Sequence, residues 1–132
     1  MMQIIEQPAN VDDFIRLRHI SGLSARPAAA VAKGLANSLY GVHIVKDGQT
    51  IAMGRVIGDG ALNFDVVDVA VDPQFQGQGL GRKVMEHIMA YLLRTAEPSA
   101  YITLMADVPE LYKKFGFVLS RPGSEGMHYA WC

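Results

Sequence analysis

The stretch Val69-Ala70-Val71-Asp72-Pro73-Gln74-Phe75-Gln76-Gly77-Gln78-Gly79-Leu80-Gly81-Arg82-Lys83 decides the reading of this chain. An apolar strand runs through a glycine-dense turn straight into a helix that opens with two cations. Glycines at 77, 79 and 81 remove side chains where backbone N–H groups must approach a ligand, and a helix start offers unpaired donors at the positive end of its dipole. Cations in a first helical turn oppose that dipole, so Arg82 and Lys83 point to an anion held there. A dinucleotide fingerprint would need G-x-G-x-x-G and more chain after it, whereas this chain has Gly77-x-Gly79-x-Gly81 past its midpoint. A Walker loop would need Lys followed by Ser or Thr; here Gly81 is followed by Arg82 and Lys83.

Working outward, 62–71 reads as the long strand that delivers the loop. Two strands over 42–45 and 50–57, joined at Asp47-Gly48, form a hairpin before it. Upstream, 2–7 is a first strand. Asn10 caps a helix running to His19, and a second helix starts at Pro27 and ends near Asn37. Ser21 to Arg26 between them is a flexible connection of the kind that walls a cleft. Downstream, Leu80, Val84, Ile88 and Leu92 recur at helical spacing and predict a helix over 79–94 with its apolar stripe on the sheet. A strand over 100–105 follows, and strand, helix and strand in succession give a parallel pair with a right-handed crossover. Ligands bind outside the carboxyl ends of such strands, so the glycine loop and the end of the later strand share the cleft. Asp107 and Glu110 form a capping pair for a short helix ending at Gly116, and 117–119 and 127–131 read as two closing strands.

At 132 residues the chain is the size of one domain, 1–132. Half its residues are hydrophobic and 19% charged, which excludes a disordered chain. A net charge of −1 with scattered cations gives no basic face for nucleic acid. No apolar run is long enough for a membrane span and no signal core is visible, so no membrane partner is expected and the cytosol is the expected location. The lone cysteine, Cys132, forms no intrachain disulfide and is a poor nucleophile candidate at a chain end. His19, His43, His87 and His128 are too far apart for a metal pair, and no metal is expected.

The Gln76-x-x-Gly79-x-Gly81 spacing and the element order β-α-α-β-β-β-α-β-α-β-β resemble the GNAT acyltransferase superfamily over essentially the whole chain. The resemblance implies an α+β, α/β/α sandwich: a mixed, mostly antiparallel sheet whose one parallel pair forms the acetyl-CoA cleft. It also implies N-acetyl transfer by direct attack of an amine on the thioester. Loop positions Gln76, Gly77, Gln78, Gly79, Leu80, Gly81, Arg82 and Lys83 would hold the pyrophosphate. The backbone of Val69, Ala70 and Val71 would align the pantetheine arm. Tyr112, in Leu111-Tyr112-Lys113-Lys114-Phe115-Gly116-Phe117, matches the family's second motif and is the candidate general acid for the departing thiolate. An alkyl amine with a pKa of about 10.4 is protonated at neutral pH, so a base is useful.

The resemblance, in which the base lies several residues before the valine that leads into the glycine loop, implies Asp65 rather than Asp68 as that base. Period-two alternation puts the two on opposite faces unless a bulge resets the register, and an ion pair between Asp65 and Arg55 is the competing structural role. The resemblance also implies Arg55, Tyr40, Met53 and Met105 as acceptor-pocket candidates, Arg55 as receiver of a substrate carboxylate. The acceptor is expected to be a small or amino-acid-like primary amine. A protein or peptide acceptor and a non-catalytic acyl-CoA sensor are the alternatives, and the apolar C-terminal strand is compatible with a homodimer.

Overall fold

The computed structural model describes residues 1–131; the expectations for Cys132 lie outside the described residues. The elements are β1 (Met2–Ile5), α1 (Val11–Ile20), α2 (Ala28–Ala36), β2 (Tyr40–Lys46), β3 (Gln49–Gly58), β4 (Asn63–Val71), a 3-10 turn at Pro73–Phe75, α3 (Leu80–Thr95), β5 (Tyr101–Leu104) and α4 (Pro109–Lys113). They form a five-stranded sheet in the order β1-β2-β3-β4-β5. The first four strands are antiparallel and β4 pairs with β5 in parallel, as the α3 crossover requires. The fold is therefore mixed α and β, with a mostly antiparallel sheet containing one parallel pair.

Each face of the sheet carries its own layer. On one face the α3 stripe of Leu80, Val84, Met85, Ile88 and Leu92 lies on Val42, Ile44, Val56, Phe64 and Val66. Burying each such side chain contributes about 1.5–3 kcal/mol, which fixes α3 against the sheet far more firmly than propensity would. The fit is closest at Gly54, where a Cβ would lie 2.6 Å from Val84. On the opposite face α1 and α2 pack Phe14, Leu17 and Val31 on Met53 and Ala70. Asn10 caps α1 as expected, its side chain accepting from the Asp13 N–H at 2.8 Å.

Two sequence-based expectations fail at the C-terminal end. Val108, not Asp107, precedes α4, and no side chain caps that helix. The two closing strands over 117–119 and 127–131 do not form. Val118, Met127, Tyr129 and Trp131 are 84%, 88%, 74% and 89% exposed. A strand exists only on a partner edge with one face covered, and this segment has neither in the single chain.

Candidate active site

The site is organised by a defect in β4. Partners run Val56↔Val66 and Arg55↔Val67, then jump to Met53↔Ala70, so β4 carries an extra residue opposite Gly54. Asp68 sits in that bulge with φ +58°, an uncommon conformation that Asp tolerates better than most side chains. The bulge resets the alternation. Phe64, Val66, Val69 and Val71 all face the α3 layer, whereas Ala70 packs with α1 and α2. Asp65 and Asp68 are thereby brought to the same face of the sheet, not to opposite ones.

Their roles there diverge. Asp68 accepts from Arg18 Nη1 at 2.5 Å and from Arg55 Nε at 2.7 Å, with all three side chains largely buried. Arg18 also donates to the Ser24 carbonyl at 3.0 and 2.8 Å and to its hydroxyl, tying the α1–α2 connection to the bulge. The Phe14 ring lies beneath both guanidiniums, at 5.9 and 5.8 Å, which helps hold two cations around one carboxylate. Arg55 thus pairs with Asp68 rather than Asp65, and its charge is engaged within the protein rather than offered to a substrate carboxylate. Asp65 is instead half-buried beside Thr103 of β5, whose hydroxyl donates to it at 3.3 Å. Burial pushes the Asp65 carboxyl above the usual carboxylate range, Thr103 opposes the shift, and the Asp68 charge adds to it.

β4 and β5 stay paired only from Asn63↔Tyr101 to Val66↔Leu104. Beyond that, β4 continues to Val71 without β5 beside it, so the backbone of its last residues faces an opening. This is a slot for an extended chain with amide groups of its own. Asp65 lies one residue before the last paired position, on the α1–α2 face, while Tyr112 packs with the α3 layer on the other face. Burial and the nearby Asp107 charge both lift the Tyr112 phenol above its ordinary value, so it remains a proton donor at neutral pH. Its ring meets Phe117 edge to face at 6.5 Å.

At the end of β4 the chain turns through the glycine loop. The Asp72 carboxylate accepts from the Gln74 N–H at 2.9 Å and starts the 3-10 turn. Gly77 and Gly79 then adopt φ +80° and +78°, where a Cβ would meet nothing within 4 Å; glycine is demanded by conformation, not by space. Gly81 is different: its Cβ would sit 3.5 Å from Leu111, so it sets how closely α3 approaches α4. The N-terminus of α3 has no side-chain cap and no acidic residue in its first turn. Arg82 and Lys83 are exposed beside it, and Gln76 reaches back to the Val71 carbonyl at 3.4 Å. Open amides, left-handed glycines and two cations at the positive end of a 16-residue helix fit a diphosphate.

The acceptor candidates separate. Tyr40 lies in the α3 layer, stacked on Tyr91 at 4.7 Å with its hydroxyl donating to Glu6 at 2.7 Å. Met53 is core under α1 and α2 at 2% exposure. Tyr40 and Met53 are therefore structural. Met105, at the end of β5, is 69% exposed and stays at the mouth. The sequence reading missed Arg18, although a cation beside Phe14 and Leu17 on the apolar stripe of α1 was a visible signal.

A family model for the acetyltransferase (GNAT) domain matches residues 38–119. An uncharacterized N-acetyltransferase of Pyropia yezoensis is 36% identical over 126 residues, covering 91% of this chain and 71% of that protein. A histone acetyltransferase of Glycine max is 34% identical over 121 residues, covering 82% of this chain. The chain spans only 52% of that soybean protein's length. The crystal structure of a probable acetyltransferase from meticillin-resistant Staphylococcus aureus is 40% identical, with a TM-score of 0.94 over 99% of this chain and 100% of its own. A predicted acetyltransferase of Clostridium acetobutylicum, solved with acetyl-CoA, is 18% identical with a TM-score of 0.70, a likeness of fold. The parted β4–β5 pair, the uncapped glycine-led helix and these relatives together establish that the chain belongs to the GNAT family of N-acetyltransferases and is an acyltransferase enzyme.

Proposed function

We propose that the enzyme moves an acetyl group from acetyl-CoA to the primary amine of a small or amino-acid-like acceptor by direct attack. The observation that carries this reading is the parting of β4 and β5 beyond Val66, with Asp65 just before it on one face of the sheet and Tyr112 packed in the layer on the other. The glycine loop and the α3 N-terminus receive the diphosphate, with Arg82 and Lys83 adding charge. The open backbone of Val69, Ala70 and Val71 aligns the pantetheine arm in the slot. The thioester then lies between a carboxylate and a phenol.

Asp65 takes a proton from the incoming ammonium, directly or through water, and its raised pKa brings its basicity closer to that of the task. The freed amine nitrogen bonds to the carbonyl carbon, and as the carbon–sulfur bond breaks the nitrogen gives up its second proton, which passes through water to the thiolate. Tyr112 hydrogen-bonds to the departing thiolate. A thiol of pKa about 8.5 is a good leaving group, and the Tyr112 phenol, lifted above its ordinary value, holds its proton, so the hydrogen bond alone stabilises the thiolate. No enzyme nucleophile takes part.

A carboxylate beside the start of the slot, on a chain of net charge −1, favours a small cationic amine over a nucleic-acid-bound substrate. A protein acceptor is the second reading, favoured by the soybean relative described as a histone acetyltransferase. Thiol release from acetyl-CoA across small amines, amino acids and histone-tail peptides decides between them. Turnover confined to small amines supports the first reading, and turnover confined to peptides supports the second. Tight CoA binding with no turnover on either set contradicts both and leaves an acyl-CoA sensor.

A further inference from the structure

Beyond Val66 the strand β4 keeps a neighbour on one edge only. It stays paired with β3, at Arg55↔Val67, Met53↔Ala70 and Ala52↔Val71, while among the described residues no strand takes the place of β5 on its other edge. A strand held on one edge and bent by a bulge is prone to extra twist, yet this is the stretch whose backbone lines the slot. What fixes it comes from α1. Ala70 packs in one cluster with Phe14 and Leu17 of that helix, and on either side of Ala70 stand two largely buried carboxylates, Asp68 and Asp72.

Each carboxylate is met by an arginine of the same helix. Arg18 reaches Asp68 at the bulge, its Nη1 2.5 Å from the carboxylate. Arg16 reaches Asp72 at the other end, its Nη1 3.9 Å from the carboxylate, while its Nη2 donates to the Thr50 carbonyl at 2.6 Å. Residues two apart on a helix point to different sides, so a single helix can send one cation to each end of the segment. The Arg16 end is the looser of the two, since that arginine is partly exposed and shared with Asp13 at 3.8 Å. It is braced by the backbone instead: the Thr50 hydroxyl donates to Asp13 at 3.0 Å, and the Asp72 N–H donates to the Ile51 carbonyl at 2.8 Å. Asp72 also accepts from the Gln74 N–H, which begins the turn into the glycine loop.

We infer that Arg16 and Arg18 are positioning residues for acetyl transfer, acting through Asp72 and Asp68 to hold the two ends of the β4 segment on which the acyl donor lies. The inference rests on the acetyl-transfer reading, in which the backbone of Val69, Ala70 and Val71 aligns the pantetheine arm. The two ends serve different parts of the donor. Asp72 opens the turn into the glycine loop, so Arg16 sets the diphosphate end. Asp68 sits in the bulge just past Val66, where β4 and β5 part, so Arg18 sets the thioester end. Displacement at the diphosphate end costs affinity. At the thioester end it costs rate, because attack geometry is sensitive to shifts of about 1 Å.

The test compares Arg16→Gln and Arg18→Lys with wild type in the full chain, by calorimetric titration with CoA and by kcat for thiol release with the best amine acceptor. Arg16→Gln should weaken CoA binding about tenfold and leave kcat within about twofold, and Arg16→Lys, which keeps a cation at Asp72, should recover most of the affinity. Arg18→Lys keeps a cation beside Asp68 but loses the planar fork that also holds Ser24. It should lower kcat about tenfold and leave CoA affinity within about twofold. If Arg18→Lys does not fold, Asp68→Asn makes the same comparison, since it keeps an acceptor for Arg18 and a side chain that tolerates the positive φ. A merely structural role would reduce the folded fraction, lowering calorimetric stoichiometry and kcat together at an unchanged dissociation constant. That pattern, or two variants that move the same parameter equally or move neither, overturns the inference and leaves the acetyl-transfer reading standing, provided the wild type binds CoA and turns over. A wild type that binds no CoA or releases no thiol overturns that reading, and the inference with it.

Discussion

The donor side and the acceptor side of the β4 slot are built from different materials. The donor side is mostly backbone: amides of the α3 start, two left-handed glycines, and exposed cations that need no partner in the protein. The acceptor side is made of buried side chains that hold one another, with Arg18 and Arg55 sharing Asp68 and the α1–α2 connection hung from Arg18. A site for a constant ligand can be built from geometry that any side chain would spoil. The α1–α2 side depends on charges whose removal disturbs the fold itself. Substitutions on the acceptor side should therefore mix stability with activity, whereas donor-side substitutions should affect binding with little cost to stability.

The largest expected effect is on the acceptor side. Asp68→Ala leaves two buried guanidiniums without their shared counter-charge and places alanine at a positive φ. The loss should be about 3–5 kcal/mol in urea denaturation, the range for breaking a buried ion pair. A loss below about 1 kcal/mol, the scale of exposed pairs, would mean the triad is only a surface feature.

Next comes Asp65→Asn, which should reduce kcat/KM about a hundredfold at neutral pH. Because the folded-state pKa of Asp65 is raised, the acid limb of the wild-type rate profile should fall above the usual carboxylate range, activity being lost as pH drops through it. The stability consequence has the opposite sign. A carboxyl whose pKa is raised on folding favours the folded state when protonated, a contribution lost as pH rises through the folded value. The Asn variant should therefore melt slightly higher than wild type at pH 7 and nearly equal to it at pH 3. A thermal melt at the two pH values checks this, and a lower melting temperature at pH 7 would give Asp65 a stabilising ion-pair role instead.

The smallest effect belongs to the donor side. Gly79→Val meets no atom but must adopt φ +78°, costing about 1–2 kcal/mol of backbone strain while screening the helix amides. CoA affinity by calorimetry should fall at least about tenfold, the measure of one misplaced charge-assisted contact. Unchanged affinity would remove the loop from the site.

The sheet order, α3 and the glycine loop were legible because their signals are local. Leu80, Val84, Ile88 and Leu92 mark a helical stripe, and Gly77 and Gly79 mark left-handed turns, with no knowledge of the neighbours. The acceptor side was not, because one bulged residue reverses the faces of everything after it. No spacing distinguishes Asp68 in a bulge from Asp68 in a regular strand. Arg55 accordingly read as a receiver of substrate carboxylate or as a partner of Asp65, and Tyr40 and Met53 as pocket candidates, since their burial depends on layers that the local pattern does not name. At the C-terminal end the period-two pattern of Met127, Tyr129 and Trp131 read as a strand, but none forms there, because a pattern states the need for an edge and a covered face without supplying either.

The central claim is that the slot beyond Val66 is an acyl-transfer site with Tyr112 at the leaving group. Single-turnover thiol release by Tyr112→Phe, beside wild type and with a good amine acceptor, tests it most directly. The rate of the chemical step should fall about a hundredfold, with acetyl-CoA affinity and melting temperature nearly unchanged, because the ring keeps its packing against Phe117. An unchanged single-turnover rate would contradict the assignment and reduce Tyr112 to a packing residue.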